Sequence, residues 1–227
     1  MKHRHLLSQI VLILLLILLA LPVWRLYATA KHEREGQDLI EAIKNRNAAA
    51  VFAALQAGAD PNQADVYGSP ALHCAIQLQP EQARIVKALL QHGANINATD
   101  YQGRTPLMCA AELGNTALVT TLLDKGANIR ARDRQGQTAL MRATQSFAVE
   151  TVRVLLRRGA QVNAQDNEGN TALSIAASHD FPDLVRLLLK KGANSGIAGQ
   201  EGTALQIARR QGYTDIVPLL EQRKTKE

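Results

Sequence analysis

A repeat with a period of about 33 residues is the feature that most constrains how this chain can fold. The pair Gly-Ala recurs in the segments QAGADPN, QHGANIN, DKGANIR, RRGAQVN and KKGANSG, whose glycines are Gly58, Gly93, Gly126, Gly159 and Gly192. A second motif keeps the same period, in GSPALHCAI, GRTPLMCAA, GQTALMRAT, GNTALSIAA and the shortened EGTALQIAR. Units of this length cannot bury an apolar face alone, so the period indicates a solenoid of stacked units.

Each unit predicts two short helices separated by a turn. In one unit the first helix runs from Thr105 to Leu113 and starts with Thr-Pro, where the missing proline N–H costs no hydrogen bond. After Gly114, the segment NTALVTTLLDKGA has leucine and valine at helical spacing, which indicates a second helix. Gly126 marks its end, because the residue that follows a helix often needs the positive φ that glycine tolerates.

With two motifs in phase over five units, residues 36–223 resemble an ankyrin-repeat protein. The resemblance implies an all-α repeat solenoid of about six repeats, in which helix pairs are joined by β-hairpin fingers. The chain then divides into a hydrophobic N-terminal segment (1–30), a short linker (31–35), the repeat domain (36–223) and a charged tail (224–227).

One aspartate recurs in each of the first four fingers, at Asp65, Asp100, Asp133 and Asp166. An aspartate in a turn commonly accepts hydrogen bonds from nearby backbone N–H groups, and we expect this role here. The fifth finger has Gly199 at this place and is shorter by a single position. We therefore expect the fifth finger to be the least ordered.

The N-terminal segment (1–30) fits both a membrane anchor and an export signal. Residues 6–24 form an almost unbroken apolar run that approaches the length needed to span a bilayer, and Trp24 and Tyr27 suit a membrane interface. We expect retention, which predicts a single-pass protein of a bacterial inner membrane with a periplasmic repeat domain. The alternative is suggested by the Ala-Thr-Ala signal ending at Ala30, where cleavage would give a soluble periplasmic protein.

The formal charge of +6 gives little support for a nucleic acid partner. Lys2, Arg4 and Arg25 are three of the 26 basic side chains, so the rest of the chain has 23 against 20 acidic ones. A nucleic-acid interface needs clustered basic residues with aromatic platforms between them, and only one local cluster approaches this description. We expect no nucleic acid to bind.

The sequence shows no motif for catalysis, a cofactor or a metal. It has no P-loop, G-x-S-x-G, H-E-x-x-H or dinucleotide glycine pattern. The resemblance gives His73 a structural hydrogen bond, but Pro70 replaces its usual threonine partner, so the bond must be made elsewhere. The resemblance also places Cys74 and Cys109 in adjacent units, too far apart for a disulfide. We expect no catalytic residue, cofactor, metal or disulfide.

The resemblance places binding on the concave face formed by the fingers and the inner helices. The family's variable positions correspond to Val66, Tyr67, Ser69, Tyr101, Gln102, Arg104, Arg134, Gln135, Gln137, Asn167, Glu168 and Asn170. Tyr67 and Tyr101 are the best anchor candidates, because a large amphipathic ring at a finger tip gains binding energy when a partner covers it. The alternative is that each ring packs on its own hairpin.

Three arginines alternate along the third finger, in the segment NIRARDRQG. If the finger is extended, Arg130, Arg132 and Arg134 point one way, because alternate side chains of an extended segment share a face. Together with Arg104 they would form a basic spot for an acidic protein surface or anionic lipid. The alternative is a merely solvated cluster.

The sequence therefore predicts a non-catalytic, monomeric scaffold for one protein partner. The first hypothesis is an adaptor or protector of a periplasmic protein, which the resemblance permits because the family includes periplasmic members that accompany antioxidant enzymes such as catalase. The alternatives are an immunity-type inhibitor of a toxin enzyme and a cytoplasmic-facing membrane tether. If residues 6–24 are not removed, the membrane is a further partner.

Overall fold

The array is built from paired helices, as the computed structural model shows for residues 38–78 and 82–221. Helix α1 is described over residues 38–44. The other helices are α2 (Ala48–Gln56), α3 (Ala71–Ile76), α4 (Gln82–Gln91), α5 (Pro106–Glu112), α6 (Thr116–Asp124), α7 (Ala139–Gln145), α8 (Val149–Arg157), α9 (Ala172–Ser178), α10 (Pro182–Lys190), α11 (Ala204–Gln211) and α12 (Val217–Glu221). Two short strands, β1 (Ala198–Gly199) and β2 (Gly202–Thr203), complete the described elements. The all-α repeat architecture is confirmed.

The predicted anchor or signal (1–30), the linker (31–35) and the charged tail (224–227) lie outside the described residues. Within the described ranges, no helix combines the length and apolar character needed to cross a membrane.

The inner helices α5, α7, α9 and α11 begin at threonine caps. In each, the hydroxyl accepts a hydrogen bond from the backbone N–H three positions further on, which satisfies one of the donors left free at a helix start. The caps are Thr105, Thr138, Thr171 and Thr203. Helix α3 starts at Pro70, which makes no side-chain cap.

The turn between the two helices of a unit has the same backbone form wherever the structure describes it in full, with a positive φ at Arg46, Gly114, Phe147, Asp180 and Gly212. Gly114 has φ +64 and closes the turn, while Asn115 donates its backbone N–H to the Ala110 carbonyl at 3.0 Å. Phe147 and Asp180 occupy the same place with φ +54 and +55, although a side chain there costs about 1–2 kcal/mol. Packing of the two helices therefore imposes the turn even without glycine.

The core is a continuous layer of aliphatic side chains between neighbouring units. One leucine recurs in each inner helix and is at most 7% exposed, at Leu72, Leu107, Leu140, Leu173 and Leu205. Buried alanines precede several of these leucines and allow close approach of the helices, which agrees with the aromatic content of only 4%. Each unit thus completes the core of the next.

The first four fingers are closed by their aspartates, as predicted. In each finger the Oδ1 atom accepts the backbone N–H groups two and four positions further on, at 2.8–3.0 Å. The acceptors are Asp65, Asp100, Asp133 and Asp166, of which the last three are buried. These bonds satisfy backbone donors that a tight turn would otherwise leave unpaired.

The expectation that the fifth finger is the least ordered stays a prediction, but this finger differs from the others in how its backbone pairs. Among the described fingers it alone contains a named strand pair, with Ala198 opposite Thr203 and Gly199 opposite Gly202. Gly199 has no carboxylate to bind the turn donors, and the finger is shorter than the others. The backbone groups therefore pair directly across a tight turn.

Replacing Asp133 tests the importance of the finger carboxylate. Its side chain accepts from the Gln135 and Gln137 N–H groups, each at 2.9 Å, and from Arg142 at 2.7 Å. We expect Asp133→Ala to lower the free energy of unfolding by about 2–4 kcal/mol, measured by urea denaturation. Asp183→Ala, at an exposed carboxylate, is the control, and an equal loss in both variants would contradict the prediction.

Candidate functional site

The tips of the second to fifth fingers are joined in a row by backbone hydrogen bonds. Each bond crosses from one finger to the next at 2.9–3.0 Å. The donors are the N–H groups of Arg134, Asn167 and Gln200, and the acceptors are the carbonyls of Gln102, Gln135 and Glu168, respectively. These tips therefore form one continuous edge, from which the side chains of Gln102, Gln135, Asn167 and Glu168 are exposed.

The first finger is not joined to this row. By the repeat pattern the missing bond would run from the N–H of Tyr101 to the carbonyl of Tyr67, and no such bond is present between these two described residues. Val66, Tyr67 and Tyr101 are 81%, 76% and 53% exposed. Both predicted anchors therefore expose more than half of their surface to solvent.

A shallow depression of about 210 Å³ lies beside the first finger. Its walls come from α1 and from the finger, and include Ile40, Ala64 and Val66. Lys44 crosses this region, with its ammonium 3.1 Å from Asp65 Oδ2 and 5.9 Å from the centroid of the Tyr67 ring. The first repeat therefore adds a partly apolar surface beside the exposed tyrosine.

Arg104 is held in an ion-pair network along the inner helices. Its Nε lies 2.8 Å from Asp100 Oδ2, and its Nη1 lies 3.1 Å from Glu112 Oε2. The network continues through Arg142, which lies 3.7 Å from Glu112 and 2.7 Å from Asp133. Because three carboxylates compensate the two guanidinium groups, Arg104 adds little free charge to the proposed basic spot.

The third finger departs from the expectation that its three arginines point one way. Ile129 and Arg130 lie in a turn, so the alternation of an extended segment does not apply. Arg132 donates a hydrogen bond to the Gln165 carbonyl of the following finger. Arg134 lies over the preceding finger, where a Cβ added at Gly103 would be 3.1 Å from its Cγ. All three arginines are exposed, but Arg132 and Arg134 point to different neighbouring fingers.

The other predicted positions are held within their own fingers. Ser69 and Gln137 donate backbone N–H groups to the finger aspartate, and Asn170 does the same and adds a side-chain bond to Asp166 Oδ2 at 3.3 Å. Sequence reasoning missed the roles of Glu112 and Arg142. The repeat register could have identified Arg142. It lies at the same distance in sequence after Asp133 as Cys109 lies after Asp100, so the two residues occupy equivalent positions relative to the finger aspartate.

His73 makes its hydrogen bond to the neighbouring unit, as the loss of a threonine partner required. Its Nε2 lies 2.7 Å from the Arg104 carbonyl, while its buried Nδ1 has no partner among the described residues. Burial lowers the pKa of His73, so the ring is neutral at neutral pH. The ring is therefore part of the joint between α3 and the next unit.

His73, Asp100 and Cys109 place possible metal-ligand atoms within 4.8 Å of one another. However, Asp100 already binds Arg104, whose guanidinium group disfavours a second cation. Burial raises the pKa of the Cys109 thiol to about 12 and that of Cys74 to about 11, so both remain protonated. These groups are better suited to holding two units together than to binding a metal.

Comparison with known proteins agrees with this geometry. A family described as ankyrin repeats (3 copies) matches residues 39–133, 102–166 and 140–226. Among solved structures, the crystal structure of EF0377, an ankyrin repeat protein, is similar with a TM-score of 0.73 and 29% identity, over 82% of this chain and 96% of that chain. No match is found among curated proteins.

The burial of His73 predicts an acid-sensitive fold. Because its pKa lies below the ordinary value of 6.5, the unfolded chain takes up a proton at pH values where the folded chain does not. The free energy of unfolding should therefore fall as the pH drops below about 6.5, as measured by urea denaturation.

His73→Gln removes the titrating group and should flatten this dependence, whereas His179→Gln at an exposed ring should leave it unchanged. An identical slope in the wild-type protein and His73→Gln would contradict the assignment.

Proposed function

The chain belongs to the ankyrin-repeat family, and on this premise we propose that it is a non-catalytic scaffold that binds one protein partner along its finger edge. The observation that carries the proposal is the break in the row between the first and second finger tips, where Val66 and Tyr67 of the first finger and Tyr101 of the second are exposed. Exposed aromatic residues at the centre of an interface often supply much of its binding energy.

The surface beside the first finger supports an interface that includes the N-terminal end of the described array. The depression between α1 and the first finger offers apolar contact. The N–H of Tyr101, which has no backbone acceptor among the described residues, offers a hydrogen-bond donor to an incoming backbone carbonyl. Gln102, Gln135, Asn167 and Glu168 extend the surface along the row of tips. A partner that covers the two rings would then contact a polar rim.

We further propose an adaptor or protector role in the periplasm. This location is supported by the apolar run 6–24, which suits an inner-membrane anchor with only a short linker before α1. In the alternative, cleavage near Ala30 releases the same scaffold as a soluble periplasmic protein.

Substitution of the finger tyrosines tests the binding surface. The partner is captured from the native host with the tagged full chain, identified by mass spectrometry and purified. We expect Tyr67→Ala and Tyr101→Ala each to weaken its binding by about 2 kcal/mol, or about thirtyfold in Kd, measured by calorimetry.

Tyr67→Phe and Tyr101→Phe keep the rings and should retain most of the affinity. Unchanged affinity in both alanine variants, with an unchanged circular dichroism spectrum, would rule out the tyrosines as anchors. The activity of a captured enzyme separates the roles: an active or stabilised enzyme agrees with protection, whereas a silenced one indicates an immunity-type inhibitor.

The mass of the mature protein tests its location. Intact-mass measurement of protein isolated from the membrane fraction should give a chain that retains the run 6–24, because we expect the segment to act as an anchor. A mature chain that begins at Lys31 and is found in the soluble periplasmic fraction would replace the anchor by a cleaved signal. Protease added outside the inner membrane should digest the repeat domain, and its protection there would favour the cytoplasmic-facing tether.

A further inference from the structure

At three places in the array, an asparagine side chain at the base of a finger binds the backbone of the following unit. The Oδ1 atoms of the three asparagines accept backbone N–H groups from the next unit at 2.7–2.8 Å. The acceptors are Asn62, Asn97 and Asn163, and the corresponding donors are Asn95, Asn128 and Asn194. This inter-unit bond is therefore a regular part of the array.

One contact between adjacent units, called here the joint, lacks this asparagine bond. Arg130 stands at the asparagine position of its unit, midway in the sequence between Asn97 and Asn163. The N–H of Gln161, which the missing Oδ1 would bind, has no acceptor among the residues that the structure describes. An open depression of about 390 Å³ lies at this loop, lined by residues 161–164. The joint thus offers an exposed hydrogen-bond donor in a recess.

The arginines of the third finger are not neutralised by carboxylates of the described residues. Arg104, Arg142, Arg153, Arg158, Arg186, Arg209 and Arg210 all pair with carboxylates. In the described part of the chain, no carboxylate lies within ion-pair distance of Arg130, Arg132 or Arg134. Arg132 is held by the Gln165 carbonyl and Arg134 lies over Gly103. Arg130 is left at the position from which Asn97 and Asn163, in their own units, bind the equivalent donors.

We propose that this joint binds an aspartate or glutamate side chain of the protein partner. The carboxylate accepts the N–H of Gln161 and pairs with the guanidinium of Arg130. A carboxylate of aspartate has nearly the shape of the missing asparagine side chain, and Arg130 favours the charged group over the neutral one. The inference rests on the proposed function, because it assigns the chemistry of one contact that a protein partner makes.

The test uses the purified full chain in a non-ionic detergent and a fluorescein-labelled decapeptide of alternating aspartate and serine. We expect fluorescence anisotropy to show binding that weakens with salt, and the Gln161 amide proton resonance to move downfield on addition of the peptide. The matching peptide of asparagine and serine should bind about tenfold less tightly. Equal binding of the two peptides would overturn the proposal.

Arg130→Asn is the decisive variant, because it restores the inter-unit asparagine while it removes the charge. We expect it to weaken binding of the aspartate peptide about tenfold and to raise the Tm by about 2–4 °C. Arg157→Asn removes the same charge from the exposed end of α8 and should leave the affinity unchanged. Equal losses in both variants would indicate attraction by net charge alone and would overturn the site.

Two further outcomes separate this inference from other interpretations. If the wild-type chain binds phosphatidylglycerol vesicles but not the peptide, and Arg130→Asn abolishes vesicle binding, the site recognises lipid phosphate and the proposal fails. If the tyrosine variants lose the captured partner while Arg130→Asn retains it with full affinity, the proposed function stands and the carboxylate contact is wrong.

Discussion

The structure depends on contact between neighbouring units, because no unit has enough apolar surface to enclose its own core. The recurrent leucines of the inner helices are buried only when the adjacent helix pair is in place. Hydrogen bonds between polar groups also connect neighbouring units. His73 binds the Arg104 carbonyl of the next unit, and the hydroxyls of Thr116 and Thr151 join consecutive outer helices at 2.9 Å. Folding of one unit therefore stabilises its neighbour.

The finger aspartates close the first four finger turns by binding the backbone, so the residues at the tip are not the main source of the turn's stability. Each carboxylate binds backbone N–H groups of its own turn, and tip side chains add bonds only in some fingers, as Asn167 does with the Arg134 carbonyl. Tip residues can then differ between fingers, from Tyr101 to Arg134 to Asn167, while the backbone keeps one form. The exposed finger tips can therefore vary in chemistry without loss of the array.

Most of the fold follows from the sequence because its determinants are local and recur in every unit. The threonine caps, the glycine after Lys125, the role of Asp133 and the outward bond of His73 could all be predicted from single motifs. The directions of Arg132 and Arg134 could not, because they depend on which neighbouring finger each side chain meets. The strand pair of the fifth finger could not be predicted either, because it forms between backbone atoms in a finger that lacks the aspartate of the other four.

For the candidate site, the sequence could identify exposed positions but not their surroundings. Tyr67 and Tyr101 were predictable from the repeat register, whereas the missing bond between their tips was not, because it involves backbone atoms that no side-chain pattern reports. The turns at Phe147 and Asp180 have a different consequence. They lie at the ends of the inner helices remote from the fingers and retain side chains where glycine fits the backbone better. Substitutions at these turns can therefore adjust the rigidity of the array, one unit at a time, while the row of finger tips stays chemically unchanged.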